Sequence, residues 1–258
     1  MLTPPRATRT LAFRMGKLLL IAAGRGRRLG PETDERPKCL VEVAGKTLLQ
    51  HQLDAARAAG LEEVVLIRGW QGGRIPPDGV RFVENPRWES NNILGSLMCA
   101  EAEMDGGFVF AYSDILYRPE ILARAARAPG DAAIVVDRDW KPRYEGRVGH
   151  PVQEAELASF EGDRLVRTGK GIGGDAAEFI GMGRFSAEGA RRFRDLYHEL
   201  KREPANPYPR ARSFEQAYVT DHLQALADRG EAIRPVWIEG GWFEIDVPHD
   251  LAAARRAW

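Results

Sequence analysis

The feature that most constrains the fold is an uninterrupted apolar run over residues 18–23, which ends at Gly24. An apolar run without alternation is typical of a strand that is covered on both faces, as in a parallel sheet. Segments with strand and helix character then alternate as far as Val136. This alternation predicts an α/β fold with a doubly wound, Rossmann-like mixed sheet in which most strands are parallel.

Local patterns set the expected bounds of these elements. In the first half, strands are predicted at residues 18–23, 63–68, 80–84, 108–112 and 132–136, and helices at 47–59, at 91–103 and from 119 onwards. In the second half, antiparallel strands are predicted at 152–160 and 164–167, further strands at 178–185 and 233–238, and helices from 186 onwards, at 214–228 and at 248–258. The antiparallel pair indicates a small antiparallel subregion after the parallel part.

Composition restricts the partners of the chain. Its 258 residues include 37 Lys plus Arg and 37 Asp plus Glu, so the formal net charge is zero and a nucleic-acid partner is not favoured. Apolar runs are too short for membrane insertion, and two isolated cysteines favour a reducing, cytoplasmic location over a disulfide framework. We expect residues 1–14 to be a flexible extension and residues 15–258 to form one domain, and the sequence leaves a homodimer open.

A loop rich in glycine and arginine, residues 24–30, follows the first predicted strand, and Lys38 lies shortly after it. Glycines let a backbone approach phosphates closely, while arginine and lysine contribute positive charge. Two common phosphate motifs do not fit, because a dinucleotide fingerprint needs a glycine at Leu29 and a P-loop needs one at Leu40. The loop therefore indicates a phosphate site of another kind.

Two aspartates are candidate metal ligands, with a role in a turn or a helix cap as the alternative for each one taken alone. Asp114 follows the predicted strand 108–112, and Asp246 lies near the end of the chain with Glu244 as a weaker competitor. Carboxylates are the expected protein ligands of a Mg²⁺ ion that also holds phosphate oxygens. Because ligands bind outside the carboxyl ends of strands in such sheets, we expect Gly24 and Asp114 to share one site.

The segment from Ile21 to Leu40 resembles the signature of the nucleotidyltransferases that make nucleotide-activated sugars and alcohols. The resemblance implies that Arg28 and backbone amides hold the triphosphate, that Lys38 stabilises the α-phosphate during attack, and that Mg²⁺ binds to Asp114 and Asp246. The residues to which it gives nucleotide-binding or catalytic roles are Ala22, Ala23, Gly24, Gly26, Arg28 and Lys38.

Residues 89–97 resemble a stretch of the bacterial phosphocholine cytidylyltransferases (the LicC-like group) and of related phosphonate cytidylyltransferases. The resemblance implies that Asn91, Asn92 and Ser96 read a pyrimidine edge and that the nucleotide is CTP. Helix capping by Ser90 or Asn91 is an open alternative for the same residues.

The second half resembles the same group at residues 169–186 and 242–251. The resemblance implies a GT-A-like nucleotidyltransferase fold with a nucleotide-binding part at about 15–136 and an acceptor-binding part at about 137–258. A lysine just before such a strand binds the acceptor phosphate in the wider family, and Lys170 matches it, with a solvated turn lysine as the alternative. The residues expected to contact the acceptor are Lys170, Glu178, Tyr112, Trp242 and Glu244.

Three functions fit these residues. The first is a Mg²⁺-dependent cytidylyltransferase that transfers CMP to phosphocholine, 2-aminoethylphosphonate or a similar small phosphorylated acceptor and releases pyrophosphate. The second is a hexose-1-phosphate nucleotidyltransferase that uses UTP, GTP or dTTP. The third is a non-catalytic nucleotide-sensing subunit, against which the presence of Lys38, Asp114 and Asp246 argues. His150 and His249 show no ligand spacing and are expected to be structural or surface residues.

Overall fold

The computed structural model describes residues 16–258, so the predicted extension at residues 1–14 lies outside the described residues. The strands are β1 (Lys17–Ala22), β2 (Glu42–Val43), β3 (Lys46–Thr47), β4 (Val64–Arg68), β5 (Arg81–Glu84), β6 (Gly107–Tyr112), β7 (Ile115–Tyr117), β8 (Ala132–Asp137), β9 (Glu156–Glu161), β10 (Arg164–Lys170), β11 (Ala177–Ser186), β12 (Ile233–Ile238) and β13 (Trp242–Glu244). The helices are α1 (Leu48–Ala59), α2 (Ile93–Met98), α3 (Pro119–Ala126), α4 (Ala187–Lys201), α5 (Val219–Asp228) and α6 (Pro248–Ala257). No helix within residues 16–258 has the length and apolar character needed to cross a membrane.

Nine of these strands form one mixed sheet, in the order β10-β9-β11-β6-β1-β4-β5, with β8 also paired to β11 and β12 paired to β8. β1 is parallel to β4 and β6, β4 is parallel to β5, and β8 is parallel to β12. β11 runs antiparallel to β6, β8 and β9, and β9 and β10 form an antiparallel hairpin. The predicted α/β class, with a mostly parallel sheet and a small antiparallel subregion, is confirmed.

β1 lies inside the sheet and is covered on both faces. Leu19 and Ile21 belong to one apolar core, whereas Leu18 and Leu20 belong to the core on the opposite face. Successive side chains of a strand point to opposite faces, so both sets must be apolar when both faces are covered. This burial explains why the sequence shows an uninterrupted apolar run at this strand.

The helix predicted at residues 91–103 is shorter than expected. Asn92 caps α2, because its Oδ1 accepts a hydrogen bond from the N–H of Ile93 at 2.9 Å. The helix ends at Met98, because the next N–H groups bond to carbonyls three residues back rather than four. A separate 3₁₀ turn then covers Glu101–Glu103.

Two elements of the second half begin later than predicted. The helix expected from residue 214 begins at Val219, because the Asp221 side chain accepts a hydrogen bond from the N–H of Tyr218 at 2.8 Å and so caps the helix there. The strand expected from residue 152 begins at Glu156, after a 3₁₀ turn at Val152–Glu154. The helices capped by Thr47 and Ser186 start where the sequence predicts.

A short antiparallel ladder between β7 and β13, which the sequence did not predict, joins the middle of the chain to its C-terminal region. Glu244 pairs with Ile115 in this ladder, and the N–H of Ile245 donates to the carbonyl of Asp114 at 2.9 Å. The ladder therefore places Asp246 beside Asp114. Strands of three residues are too short for periodicity to identify them.

Candidate active site

The glycine-rich loop after β1 is shaped around Lys38. Gly26 has a left-handed backbone with a φ of 67°, and a Cβ atom there would lie 3.2 Å from the Cβ and Cδ atoms of Lys38. The buried Thr33 holds the loop, because its hydroxyl donates to the carbonyl of Gly26 at 2.8 Å and contacts that of Gly30 at 3.3 Å. A side chain at position 26 would be strained and would also press on the lysine.

Lys38 is buried and bridges the two aspartates that the sequence suggests as metal ligands. Its Nζ donates to Asp114 Oδ2 at 2.8 Å and also contacts Asp246 Oδ1. Burial works against protonation, but the charges of the two carboxylates outweigh it and raise the pKa of Lys38 above its ordinary value. The lysine is therefore a fixed positive charge near the carboxyl ends of β1 and β6.

Asp246 is surrounded by positive and polar groups. Arg28 Nη2 lies 2.5 Å from Asp246 Oδ2, and His150 Nδ1 lies 2.9 Å from the same oxygen. Burial would raise the pKa of Asp246, but the charges of Lys38 and Arg28 hold it well below its usual range. Asp246 is therefore an anion at all ordinary pH values.

Glu244 extends this carboxylate cluster on the side away from the glycine loop. Arg147 Nη2 donates to Glu244 Oε2 at 2.8 Å. Burial, together with the charges of Asp246 and Asp114, raises the pKa of Glu244 above its usual range. Three carboxylates thus crowd one region, which favours binding of a cation there.

Asn91, Asn92 and Ser96 lie along another wall of the same pocket, around the start of α2. Asn85 Nδ2 donates to Asn91 Oδ1 and to Ser96 Oγ, both at 2.9 Å. Asn92 uses its oxygen for the helix cap and its Nδ2 for the carbonyl of Gln216 at 3.1 Å. The Asn92 side chain is therefore committed to the scaffold. Asn91 and Ser96 are fixed by pairing within the protein as well, because Asn91 Nδ2 donates to Asn85 Oδ1 at 3.2 Å and Ser96 Oγ donates to the carbonyl of Asn92 at 3.1 Å.

Lys170 lies at the end of β10 and lines the same pocket from the second half of the chain. Its Nζ donates to Glu154 Oε2 at 2.7 Å and to the Tyr218 hydroxyl at 3.3 Å, and it lies 4.5 Å from the centroid of the Tyr218 ring. Burial lowers the pKa of Lys170, but Glu154 and Tyr218 outweigh this effect and raise the pKa above its ordinary value. Behind it, the half-buried Glu156 accepts a hydrogen bond from the Tyr112 hydroxyl at 3.2 Å.

Together these groups line one pocket of about 460 Å³. The predicted site residues that line it are Ala23, Gly24, Gly26, Arg28, Lys38, Asn91, Asn92, Ser96, Tyr112, Asp114, Lys170, Glu244 and Asp246. Ala22 does not line it, because its side chain belongs to the apolar core under the sheet. The structure therefore assembles nearly all of the predicted residues in one place, while their individual roles stay predictions.

Glu178 and Trp242 are the other two predicted residues that this pocket does not include. They line a smaller neighbouring pocket of about 240 Å³. Trp242 is buried and its Nε1 donates to Asp137 Oδ2 at 2.7 Å, while Glu178 accepts from Arg143 at 3.0 Å and from the Tyr144 hydroxyl at 2.5 Å. The polar atoms that would contact an acceptor are thus already paired within the protein.

Sequence reasoning missed His150, Tyr218 and Trp88, which also line the main pocket. His150 was expected to be a structural or surface residue, but it is buried and contacts the carboxylate cluster. Its position depends on Gly149, which has a φ of 82° and turns the chain toward the site. In the sequence, the Gly-His-Pro run at 149–151 is the only local indication that His150 reaches the site, and this indication is weak.

The donor atoms of the site suit a divalent cation. Asp114 Oδ1 is buried and has no hydrogen-bond partner among residues 16–258, and Asp246 lies beside it across Lys38. A buried oxygen without a partner is costly, and a bound cation would satisfy it. The carboxylates of Asp114 and Asp246 therefore fit the predicted metal.

Comparison with known proteins defines the class. Residues 18–168 match the model of the MobA-like NTP transferase domain, which is more than half of the chain. The chain therefore belongs to this family and is a nucleotidyltransferase. The family resemblance of residues 21–40 is confirmed.

Individual relatives agree with this class. The chain is 28% identical over 247 residues to the CTP:phosphoglutamine cytidylyltransferase of Campylobacter jejuni, an alignment that covers 90% of this chain and 96% of the relative. It is 27% identical to the 2-aminoethylphosphonate cytidylyltransferase of Lancefieldella rimae, with 81% and 80% covered. Its fold is similar to that of the CTP:phosphocholine cytidylyltransferase LicC from Streptococcus pneumoniae, with a TM-score of 0.73 at 17% identity over 94% of this chain and 98% of that one.

Proposed function

We propose that this chain is a Mg²⁺-dependent cytidylyltransferase. It transfers CMP from CTP to a small phosphorylated acceptor that carries an amine or ammonium group, such as phosphocholine or 2-aminoethylphosphonate, and releases pyrophosphate. The observation that carries the proposal is the position of Lys38, which is held between Asp114 and Asp246 directly beside the glycine loop.

The reaction needs positioned charge rather than a protein nucleophile. An oxygen of the acceptor phosphate forms a bond to the α-phosphorus, the bond from that phosphorus to the bridging oxygen breaks, and pyrophosphate leaves. Lys38 and Arg28 would neutralise the charge on the phosphate oxygens, and the glycine loop would present backbone N–H groups to them. A Mg²⁺ ion on Asp114 and Asp246 would add further charge neutralisation.

The preference for CTP rests on two observations. The relatives from Campylobacter jejuni and Lancefieldella rimae are both named as cytidylyltransferases. In this chain, Asn91 and Ser96 lie in the pocket wall with orientations that Asn85 fixes. Cytosine offers a donor and acceptors on its edge, and fixed amide and hydroxyl groups can match such a pattern.

The preference for an amine-bearing acceptor rests on the side of the pocket that Lys170 lines. Lys170 would contact the acceptor phosphate, while the nearby carboxylates of Glu154 and Glu156 would attract an ammonium group. The ring of Tyr218 adds an aromatic face that suits a cation. A hexose offers no positive charge to these carboxylates, so we expect a hexose 1-phosphate to bind weakly on this side of the pocket.

The proposal can be tested with purified enzyme, Mg²⁺ and a matrix of substrates. Each of CTP, UTP, GTP and dTTP is combined with phosphocholine, 2-aminoethylphosphonate, phosphoglutamine or a hexose 1-phosphate, and pyrophosphate release is measured. We expect release with CTP and an amine-bearing acceptor. Release only with a hexose 1-phosphate would refute the acceptor class, and no release with any pair would refute the enzyme function. A cytoplasmic location and a homodimer stay predictions from the sequence.

A further inference from the structure

His150 reaches the carboxylate cluster from the loop between β8 and β9. Its side chain is only 4% exposed, and its Nδ1 lies 2.9 Å from Asp246 Oδ2 and 3.7 Å from Glu244 Oε2. The shorter distance is within hydrogen-bonding range, but the contact does not have the geometry of a hydrogen bond. Within residues 16–258 this buried nitrogen therefore has no hydrogen-bond partner. Buried polar atoms are normally paired, so a nitrogen in this position indicates a missing ligand.

The arrangement of the three side chains suits a single cation. One ligand atom each from His150, Glu244 and Asp246 can be chosen so that all three lie within 4.8 Å of one another. Two ligands at about 2.1 Å from a cation lie about 3 Å apart when they meet at a right angle. The distance of 2.9 Å between His150 Nδ1 and Asp246 Oδ2 agrees with this value.

The loop holds His150 in place through a second contact. Arg147, on the same loop, donates to Glu244 Oε2 at 2.8 Å and to Asp250 Oδ1 at 2.7 Å. Its side chain is only 5% exposed, so the loop is tied to α6 and β13 by a buried ion-pair network. Because the loop is anchored on both the cluster and the helix, the imidazole is positioned before a cation binds.

Two positive side chains already contact Asp246, and they differ in how easily they could make way for a cation. Lys38 contacts Oδ1 and is only 10% exposed, whereas Arg28 contacts Oδ2 and is 51% exposed. Because half of its side chain is exposed, Arg28 can turn into solvent, with or without a nucleotide, and its own charge is not left buried. The oxygen that it releases is the one that His150 approaches.

We infer that His150 is a nitrogen ligand of the divalent cation that Asp246 holds, with Glu244 as a further carboxylate ligand, and that the site binds Mn²⁺ more tightly than Mg²⁺. Imidazole suits transition-metal ions, whereas Mg²⁺ favours oxygen ligands and retains its waters. Only the role of this cation in the transfer reaction rests on the proposed function. The binding of the ion itself can be measured without any substrate.

The test uses Mn²⁺ as the probe and the full chain without nucleotide. Electron paramagnetic resonance follows free Mn²⁺ during a titration, and spin-echo modulation detects ¹⁴N bound directly to the ion. We expect one Mn²⁺ per chain with ¹⁴N coupling typical of a ligated imidazole, and Mg²⁺ competing at least about 10-fold more weakly. Bound Mn²⁺ without ¹⁴N coupling would overturn the inference, and so would equal affinity for the two ions.

A matched pair of variants identifies the histidine. His150→Asn should weaken Mn²⁺ binding by at least about 10-fold and remove the ¹⁴N coupling, while Mg²⁺ binding changes little because Asn still offers an oxygen. His198→Asn is the control, since His198 lies on α4 and pairs with Glu101 away from the site. Loss of the coupling in His198→Asn, or its retention in folded His150→Asn, would contradict the assignment. If His150→Asn does not fold, the spectrum of the unmodified chain still decides the question.

Pyrophosphate release with CTP is measured in parallel on the same samples. Turnover without ¹⁴N coupling would refute the His150 ligand and leave the proposed function intact. Coupling without turnover for any substrate pair would leave the metal site intact and refute the proposed function.

Discussion

The two sides of the main pocket differ in how their charge is arranged. The phosphate side, residues 23–38, contributes an excess of positive charge from Arg27, Arg28 and Lys38 along a backbone rich in glycine. The opposite side, which we call the acceptor side, consists of Lys170 and the residues at 150–156 and 218, and it carries the carboxylates of Glu154 and Glu156 beside its lysine. A side whose own charged lining residues are all basic suits a polyanion such as a triphosphate, and a side that carries both signs of charge suits a ligand that also carries both. Changes on the phosphate side should therefore affect the rate, and changes on the acceptor side should affect the choice and affinity of the acceptor.

The largest effect is expected from Lys38→Ala on the phosphate side. This substitution removes the fixed charge between Asp114 and Asp246, and we expect kcat to fall at least about 100-fold, the scale for one lost transition-state contact. Pyrophosphate release measures the effect, and circular dichroism checks that the variant folds. Lys46→Ala is the control, because Lys46 is exposed and pairs with Asp54 outside the pocket. Near-normal turnover in Lys38→Ala would refute its catalytic role.

A loss of similar or slightly smaller size is expected from Asp246→Asn. The amide keeps the shape of the side chain but removes the negative charge that Lys38 and Arg28 contact, so kcat should fall about 100-fold while binding of the acceptor changes less. The kinetic constants for both substrates are measured with saturating Mg²⁺. Asp54→Asn provides an exposed control. An unchanged kcat would show that Asp246 is not needed for the transfer.

The next effect concerns stability rather than rate. His222 lies in the core on α5, where its Nδ1 contacts the Tyr208 hydroxyl at 2.8 Å and its Nε2 contacts the carbonyl of Phe193 at 2.9 Å. Burial lowers the pKa of His222 from 6.5 to about 4. Above pH 6.5 the neutral ring contributes fully, and between about pH 6.5 and pH 4 the unfolded chain binds a proton that the folded chain does not.

The free energy of unfolding should therefore fall by about 3 kcal/mol over that range because of this one residue. Chemical denaturation at pH 7, 5 and 4 measures the change, and His222→Gln should flatten that part of the pH dependence. The same slope in both proteins would show that His222 is not the cause. His222 does not line the pocket. Its titration therefore changes the stability of the acceptor-side scaffold without changing the charges in the site.

The smallest effect is expected from Lys170→Ala on the acceptor side. Loss of one charged contact to the acceptor phosphate should raise KM for the acceptor about 10-fold and leave KM for CTP nearly unchanged. Lys141→Ala is the control, because Lys141 is exposed and does not line the main pocket. If KM for CTP rises instead, Lys170 belongs to the nucleotide site, and the contrast between the two sides fails.

The same two sides differ in how far the sequence predicts them. The phosphate side is contiguous in the chain, since β1, the loop and Lys38 lie within residues 17–38, so one motif reveals its shape and chemistry. Asp114 is predictable because it lies two residues after the end of a buried strand. The strand alternation that predicts the sheet is equally local, because each strand's burial is visible in its own residues.

The rest of the site depends on contacts between distant segments. Asp246 joins Asp114 through a ladder of three residues per strand, which is too short to produce a pattern. His150 reaches the site from an irregular loop, and no periodicity places such a residue. Trp242 and Glu178 differ, because each has a suitable residue type at a suitable position but uses its polar atoms for partners inside the protein. Such pairings follow from packing and cannot be read from residue type alone.

The most direct test of the transfer uses CTP that carries ³²P at the α-phosphate, with Mg²⁺ and 2-aminoethylphosphonate or phosphocholine as the acceptor. If the acceptor oxygen attacks the α-phosphorus, the label appears in a CMP–acceptor adduct and unlabelled pyrophosphate forms in equal amount. Label that stays in CTP, or that appears only as free CMP, would contradict transfer to the acceptor and with it the function proposed for this pocket.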